Sequence, residues 1–332
     1  MITPAYSPTA TERVLPRLAL DFTTAVADPR VATARAANTA TRFNSSGIIE
    51  IVNANLPRFD FSPTALTCLG QLIEEARTNL FLNSLIDGTN LATQSVTLTA
   101  VAYTLSFYGS GTVTISGGHS ATVAGVGDFP DRKTYTFTPT AGSSTFTVSG
   151  DVNFAQLEAG SFATSFIPTA ASSVTRNDDV VSMTGTNFSD WYNATQGAFV
   201  VDFDTVMLFP ASTAPTQVLS VSDGTSDNRM TIFCFADFTG GQVRQGGATQ
   251  AELYFSPIPS GVNKAFLAYK TNDVAATLNG AVAQVDTSAT IPTVDRMDIG
   301  IAPSGAYLNG HVRSVRYFIQ RLTNAEGRAN TK

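Results

Sequence analysis

The sequence predicts an all-β protein, an extended N-terminal arm followed by two antiparallel β-sandwich (jelly-roll) domains. Three observations carry this. Apolar residues alternate with Thr and Ser at period two through most of the chain after residue 90, the pattern of strands that bury one face. Gly-rich and Asn-Gly turns punctuate those runs at intervals of about 8–12 residues. Charged residues make up only 14% of the chain, against roughly a quarter in an average soluble protein, with Thr, Ser, Ala and Gly in their place. At 332 residues the chain is long enough for two cores plus an extension.

Residues 1–58 are expected to form the arm. They are broken by Pro4, Pro8, Pro16 and Pro29, are rich in Ala, Thr and Arg, and offer few large apolar groups beyond Val14, Leu15, Leu18, Leu20 and Phe22. Phe43 and Ile48–Val52 flank the turn Asn44-Ser45-Ser46-Gly47 and read as strands that cap the first module or join its sheet. The arm carries a net charge of +2 and the rest −8. An acidic body disfavours nucleic acid and anionic membrane as partners, because phosphate binding needs clustered Lys and Arg. Residues 1–10 lack the charged start and apolar core of a signal peptide, and no apolar run reaches 18 residues, so a soluble protein is expected.

Residues 59–89 form a connector. Leu69, Leu72, Ile73, Ala76 and Leu80 fit one helical face, whereas Gly70 and the pair Thr78-Asn79 argue for extended, interrupted structure. Residues 90–169 form the first module, with strands at Val96–Thr99, Tyr103–Tyr108, Thr112–Ile115, Thr134–Thr138 and Thr145–Val148. Residues 170–179 read as a Ser/Thr/Asp linker. Residues 180–332 form the second module, with strands at Ala198–Phe203, Gln217–Val221, Met230–Phe235, Ala265–Tyr269 and Val312–Phe318, and a tight hairpin at Asn279-Gly280.

Three stretches carry a family resemblance. Pro57-Arg58-Phe59-Asp60-Phe61, then Gln71-Leu72-Ile73-Glu74-Glu75 and Arg77-Thr78-Asn79-Leu80, resemble the connector of bacteriophage virion proteins of the fibre and head-spike kind, which implies an extended connector. Phe154 to Thr169 resembles the last strand of carbohydrate-binding-module-like jelly rolls that recur in phage proteins. Asn279-Gly280, Met297-Asp298-Ile299-Gly300 and Leu322-Thr323-Asn324-Ala325-Glu326, in that order, resemble the closing third of a concanavalin A-like (laminin-G-like) sandwich. The likeness departs at Gly327 and Arg328–Lys332, which stand where a helical continuation is common.

Concanavalin A-like folds include glycoside hydrolases, which place Glu, Asp and Glu alternately on one strand. Asp202 and Asp204 share a strand face, but no such triplet occurs, so no catalytic residue is assigned. His119 and His311 have no nucleophile or acid at a telling spacing and are expected to be surface groups. Cys68 and Cys234 are expected to be buried free thiols. No cofactor is expected apart from calcium, which the laminin-G-like resemblance would place at Asp223, Asp227 and Asn228; a plain hairpin turn explains those residues equally well. Candidate glycan-binding residues are Trp191, Tyr192 and Asn193 in the second module and Tyr103 and Tyr108 in the first, with core packing as the competing reading.

The resemblances imply a non-enzymatic virion protein, a fibre, spike or decoration on capsid or tail, assembled in the bacterial host cytoplasm. It would dock to a capsid or tail protein through its arm and display lectin-like domains towards a host cell-surface glycan. A homotrimer is expected, because joined lectin-like sites gain avidity and phage fibres and spikes are commonly trimeric. The rival readings are a tail depolymerase, which would need a carboxylate pair in a groove, and a bacterial surface adhesin, which would need a secretion signal or anchor.

Overall fold

The computed structural model describes residues 14–37, 39–204, 216–235, 238–256 and 258–332. Residues 1–13 of the expected arm lie outside the described residues. The protein is all-β, with two sandwiches of antiparallel sheets.

The smaller sandwich packs the sheet Ala121–Ala124, Thr112–Gly117, Gly142–Ser149, Gln94–Leu98 against the sheet Gly127–Phe137, Tyr103–Gly109, Asn153–Ala159. Alternation builds it directly. Leu105, Phe107, Val113, Ile115 and Phe146 point inward and are fully buried, while Thr112, Thr114 and Thr145 face out.

The larger sandwich has a seven-stranded sheet in the order Ala32–Ala34, Val180–Thr184, Arg296–Ile299, Thr216–Ser222, Arg229–Cys234, Thr239–Gln245, Ala248–Phe255. Facing it is an eight-stranded sheet: Gln284–Asp286, Val274–Leu278, Val262–Lys270, Gln196–Asp204, Gly310–Phe318, Cys68–Ile73, Phe59–Phe61, with Leu18–Asp21 also paired to Gly310–Phe318. Phe199, Phe203, Leu219, Ile232, Met297 and Val315 fill the space between them. The Asn279-Gly280 turn has φ values of 47° and 73°, the positive values that favour this pair. The chain returns as a strand only at Gln284.

Two expectations are corrected here and one open alternative is resolved. From Val14 onward the arm is not a separate extension. Leu18–Asp21 and Ala32–Ala34 each add a strand to one sheet of the larger sandwich, and Leu18, Leu20 and Phe22 lie in its core. Few as they are, these apolar residues suffice because the sandwich supplies the remaining surface. The helical reading of the connector fails and the extended one holds, with strands at Phe59–Phe61, Cys68–Ile73 and Arg77–Asn79. The chain end is helical after all: Asn324–Asn330 is an α-helix whose Thr323 and Glu326 form a reciprocal capping box. It covers the outer cluster of Val200, Phe266, Ala275 and Phe318 on the eight-stranded sheet, and Gly327 lies so close to the Phe266 ring that a Cβ there would meet it at 2.6 Å. The hairpin Ala40–Phe43 with Ile49–Val52 caps the smaller sandwich as expected, placing Ile49 against Tyr108 and Phe166.

Segments far apart in sequence meet in a buried ionic knot. Asp179 accepts from Arg35 at 2.8 Å and pairs with Arg58 through both carboxylate oxygens. Arg58 also reaches Glu74 at 2.8 Å, the Ser165 hydroxyl at 2.8 Å and the Thr41 carbonyl at 3.1 Å. Arg176 lies 3.5 Å from Glu74 and donates to the Glu75 carbonyl at 2.7 Å. Backbone bonds Asp179 N–H to Glu74 O and Glu74 N–H to the Asp179 carboxylate close the frame. The 170–179 stretch read as a linker thus holds Arg176 and Asp179 in the interior, 0% and 1% exposed. The knot ties the larger sandwich, the connector and the end of the smaller sandwich together.

Burial alone would raise the Glu74 carboxyl, but Arg176, Arg58 and the two Ser165 donors outweigh it and hold it well below its usual range. A depressed folded value stabilises the fold above the ordinary value of 4.5 and loses that contribution as pH falls towards the folded value. Stability to urea should therefore drop steeply below about pH 4.5, and Glu74→Gln should be less stable at pH 7 with a flatter acid slope. Glu158, which burial raises, acts in the opposite sense and is common to both proteins. Parallel slopes for wild type and variant in urea titrations at pH 7, 4.5 and 3 would show that Glu74 carries no such linkage.

Candidate functional site

A cleft of about 510 Å³ opens at one end of the larger sandwich, between the Gly185–Ala194 segment and the loops that follow Ser222 and precede Arg296. Its position follows from local chain chemistry. Gly185 takes φ 57° ahead of the single helical turn Thr186–Ser189, and that turn carries Phe188 into the core. Tyr192 stacks on Phe188 with centroids 4.6 Å apart at 28°, and on Tyr269 at 6.0 Å and 20°. The half-buried Tyr192 ring is thus backed by fixed aromatics and borders open space. Around it stand Thr184, Ser189, Asp223, Asp295 and Arg296.

The polar groups are held in place. Arg296 is clamped to Asp298 through two bonds, 2.9 and 2.6 Å. Asp223 accepts from the Thr225 N–H at 2.9 Å, the Thr225 hydroxyl at 2.6 Å and the Asn228 amide at 2.8 Å. The Thr225 hydroxyl, with the other loop donors behind it, keeps the Asp223 carboxyl below its ordinary value. An aromatic face beside a few oriented polar groups is the composition of a small saccharide site.

Of the sequence candidates, Tyr192 and Asp223 come together in this one cleft, although they were expected in different roles. Trp191 is a core residue: its indole N–H donates to the Asn187 carbonyl at 2.7 Å and its ring meets Phe188 and Tyr317 edge-on. Asn193 is spent on structure, donating to the distant Ile319 carbonyl and accepting from Thr195 within its own turn. Tyr103 is 5% exposed, its hydroxyl bonded to Thr99. It presents only a margin to a second cleft of about 410 Å³ shared with Arg77, Thr78 and Thr175. Tyr108 is buried against Phe129 and Phe154 where the capping hairpin meets the smaller sandwich.

Asp223, Asp227 and Asn228 do not fit a calcium ion. N–H and O–H donors already point at the Asp223 oxygens, Asn228 turns its amide nitrogen to Asp223, and its oxygen accepts from the Gly246 N–H at 2.9 Å. Among the described residues no group of three or more His, Cys, Asp or Glu could hold a metal.

The other titratable groups lie elsewhere. Asp202 sits on the outer face of the eight-stranded sheet, 3.8 Å from Arg316, with burial raising its carboxyl; Asp204 shares that face. His311 is not a surface group: it is 3% exposed and bonded to Asp60 at 2.9 Å. That partner is 251 residues away, beyond any local spacing signal. His119 is partly buried, bonded to the Tyr135 hydroxyl and stacked on Phe137. Cys234 is a buried free thiol pushed up to about 12 by burial, whereas Cys68 is only half-buried.

No family model matches the chain, and no curated protein matches it. Solved structures similar to it include the binding domain of botulinum neurotoxin DC in complex with rat synaptotagmin II, at 9% identity and TM-score 0.35. The same domain in complex with SialylT matches at 10% and 0.36, and the HCR/D F1240A mutant at 10% and 0.37. These matches cover 45–46% of this chain and 38–39% of theirs. A partial likeness of this depth says nothing about ligand or activity.

Proposed function

We propose that this chain is a non-catalytic, glycan-binding adhesion protein that uses the cleft at Tyr192. The observation that carries the reading is the half-buried Tyr192 ring, packed against Phe188 and Tyr269, at the edge of a cleft that Asp223, Asp295 and Arg296 also line. A sugar ring stacks its C–H face on such a platform while carboxylates and a guanidinium take its hydroxyls. The setting we propose is a phage virion, as a fibre, spike or decoration on capsid or tail, displaying the larger sandwich towards a host surface glycan. Support for that comes from the wording of the connector between Pro57 and Leu80. A homotrimer docked to a capsid or tail protein belongs to the same reading.

Asp223 and Asp295 both border the cleft, which is what favours the competing depolymerase reading. A glycosidase needs one carboxyl raised enough to donate a proton near neutral pH beside a second that stays ionised, and Asp223, shifted downward, does not fit the donor's part.

A glycan array on the full chain, followed by product analysis on any bound sugar, tests both. Tyr192→Ala should weaken binding by roughly 10- to 30-fold, as loss of a central aromatic contact does, while its melting curve stays cooperative. Binding unchanged by this variant would remove the cleft from the account, and release of shortened oligosaccharide would replace adhesion by hydrolysis.

A further inference from the structure

The outer face of the seven-stranded sheet, which shares Thr184 and Arg296 with the cleft, carries a row of arginines. Register places Thr184, Arg296, Ser222, Arg229 and Arg244 in one row across five neighbouring strands. Arg229 and Arg244 are directly opposite each other, a placement that destabilises a sheet when the charges are alike. Neither forms an ion pair among the described residues. Arg229 gives one N–H to the Gln242 side-chain oxygen at 3.1 Å, and Arg244 gives one to the Gly247 carbonyl. The Nε of each is buried and has no hydrogen-bond partner.

The adjacent row adds a second observation. Ser220 and Thr231 are cross-strand partners on this same face, one step from the arginines, and are 0% and 1% exposed. Both hydroxyls lack a partner. Closed off from solvent, these hydroxyls leave the half-buried forks of Arg229 and Arg244 as the groups on this face that can meet an oxyanion. Burial and the nearness of Arg244 push the Arg229 guanidinium down while Asp227 acts the other way; a bound anion would act in the same sense as Asp227.

We propose that Arg229 and Arg244 hold the oxyanion, carboxylate or sulfate, of an acidic saccharide whose neighbouring sugar occupies the Tyr192 cleft. The inference rests on the adhesion reading for the saccharide and on the arginine pair for its charge. Thr184 and Arg296 belong both to the cleft and to the arginine row, so one surface connects the two. From Arg296 the row crosses two strands to Arg229 and three to Arg244, on the order of 10–15 Å at the usual strand spacing, the length of a short oligosaccharide. Arg296 itself is engaged by Asp298, which leaves the anion to the other two.

The test measures binding of the full chain to tetragalacturonate, sulfated maltotetraose and neutral maltotetraose, with the double variant Arg229→Gln, Arg244→Gln beside it. The expected result is a preference for one acidic probe over the neutral one that weakens with added salt. The double variant should lose that preference, on the order of 10- to 100-fold for charge-assisted bonds, and keep neutral binding. The acidic probe that wins tells carboxylate from sulfate. If the double variant does not fold, Arg229→Lys and Arg244→Lys singly, which keep charge and lose the fork, should each show part of the loss. Equal binding of acidic and neutral probes, or a preference that survives the substitutions, overturns the proposal while leaving adhesion intact. Should no saccharide bind, the arginine Nε–H resonances titrated with sodium sulfate decide: a saturable shift confined to Arg229 and Arg244 upholds the anion site and brings down the adhesion reading alone, and no shift overturns both.

Discussion

Replacing Asp179 by alanine is expected to destabilise the full chain by about 3–5 kcal/mol, the cost of breaking a buried ion pair by removing one partner. Arg35 and Arg58 both end on this carboxylate, and both guanidiniums are interior, 2% and 1% exposed. Neither can turn to water. Arg58 would retain Glu74, Ser165 and Thr41, but Arg35 would be left with the Val52 and Asn53 carbonyls alone, a cation without a counter-charge. The Glu74 N–H would lose its acceptor as well. Asp179→Asn should do less damage, since an amide oxygen keeps one acceptor. Urea unfolding followed by circular dichroism and by fluorescence of the single tryptophan, which lies in the larger core, measures it. A loss under 1 kcal/mol for Asp179→Ala would mean that packing, not this knot, holds the sandwiches together.

How much of this was legible depends on whether the signal was local. Most of the smaller sandwich could be read strand by strand, because Tyr103–Tyr108 and Thr145–Val148 alternate and their turns are glycine-rich; the short edge strand Ala121–Ala124 was not. The incorporation of the N-terminal stretch could not. Leu18–Asp21 is four residues long, and its partner is Val315 and its neighbours, nearly 300 positions away. The knot was hidden for a related reason: Arg35, Arg176 and Asp179 sit in polar, Ala/Thr-rich segments, where charges normally face water. The C-terminal helix did leave a mark, the Thr323-x-x-Glu326 capping box, inside a stretch whose family likeness points to no helix beyond it.

The cleft was half legible. Tyr192 and Asp223 stood out by residue type, whereas Phe188, Asp295 and Arg296 carry no motif, and nothing in the order of residues shows that three loops converge. The arginine pair was invisible in principle, since it exists only once the register of two strands is known.

Gly70→Val is expected to cost about 3–5 kcal/mol, combining backbone strain with an unrelievable overlap. Gly70 was the residue that argued against a connector helix, and its conformation shows why. It takes φ +125°, a region closed to β-branched residues, at the irregularity where Asp60 pairs with Gly70 and Phe61 with Cys68. A Cβ there would lie 2.5 Å from the Val312 carbonyl oxygen and 3.0 Å from its carbon. Both are main-chain atoms of the Gly310–Phe318 strand, which is held on its other side by Gln196–Asp204, so they cannot give way as a side chain would. The substituted hairpin 59–73 should separate from the sheet and draw Arg58 and Glu74 with it, loosening the knot from the connector side. Hydrogen exchange of the full chain should then show lost protection at Phe59–Phe61 and Cys68–Ile73 together with Asp179, while Tyr103–Gly109 in the smaller sandwich keeps its own. Protection unchanged at Cys68–Ile73 would show that the strand can absorb a side chain at this position and that the glycine is not what sets the connector's path.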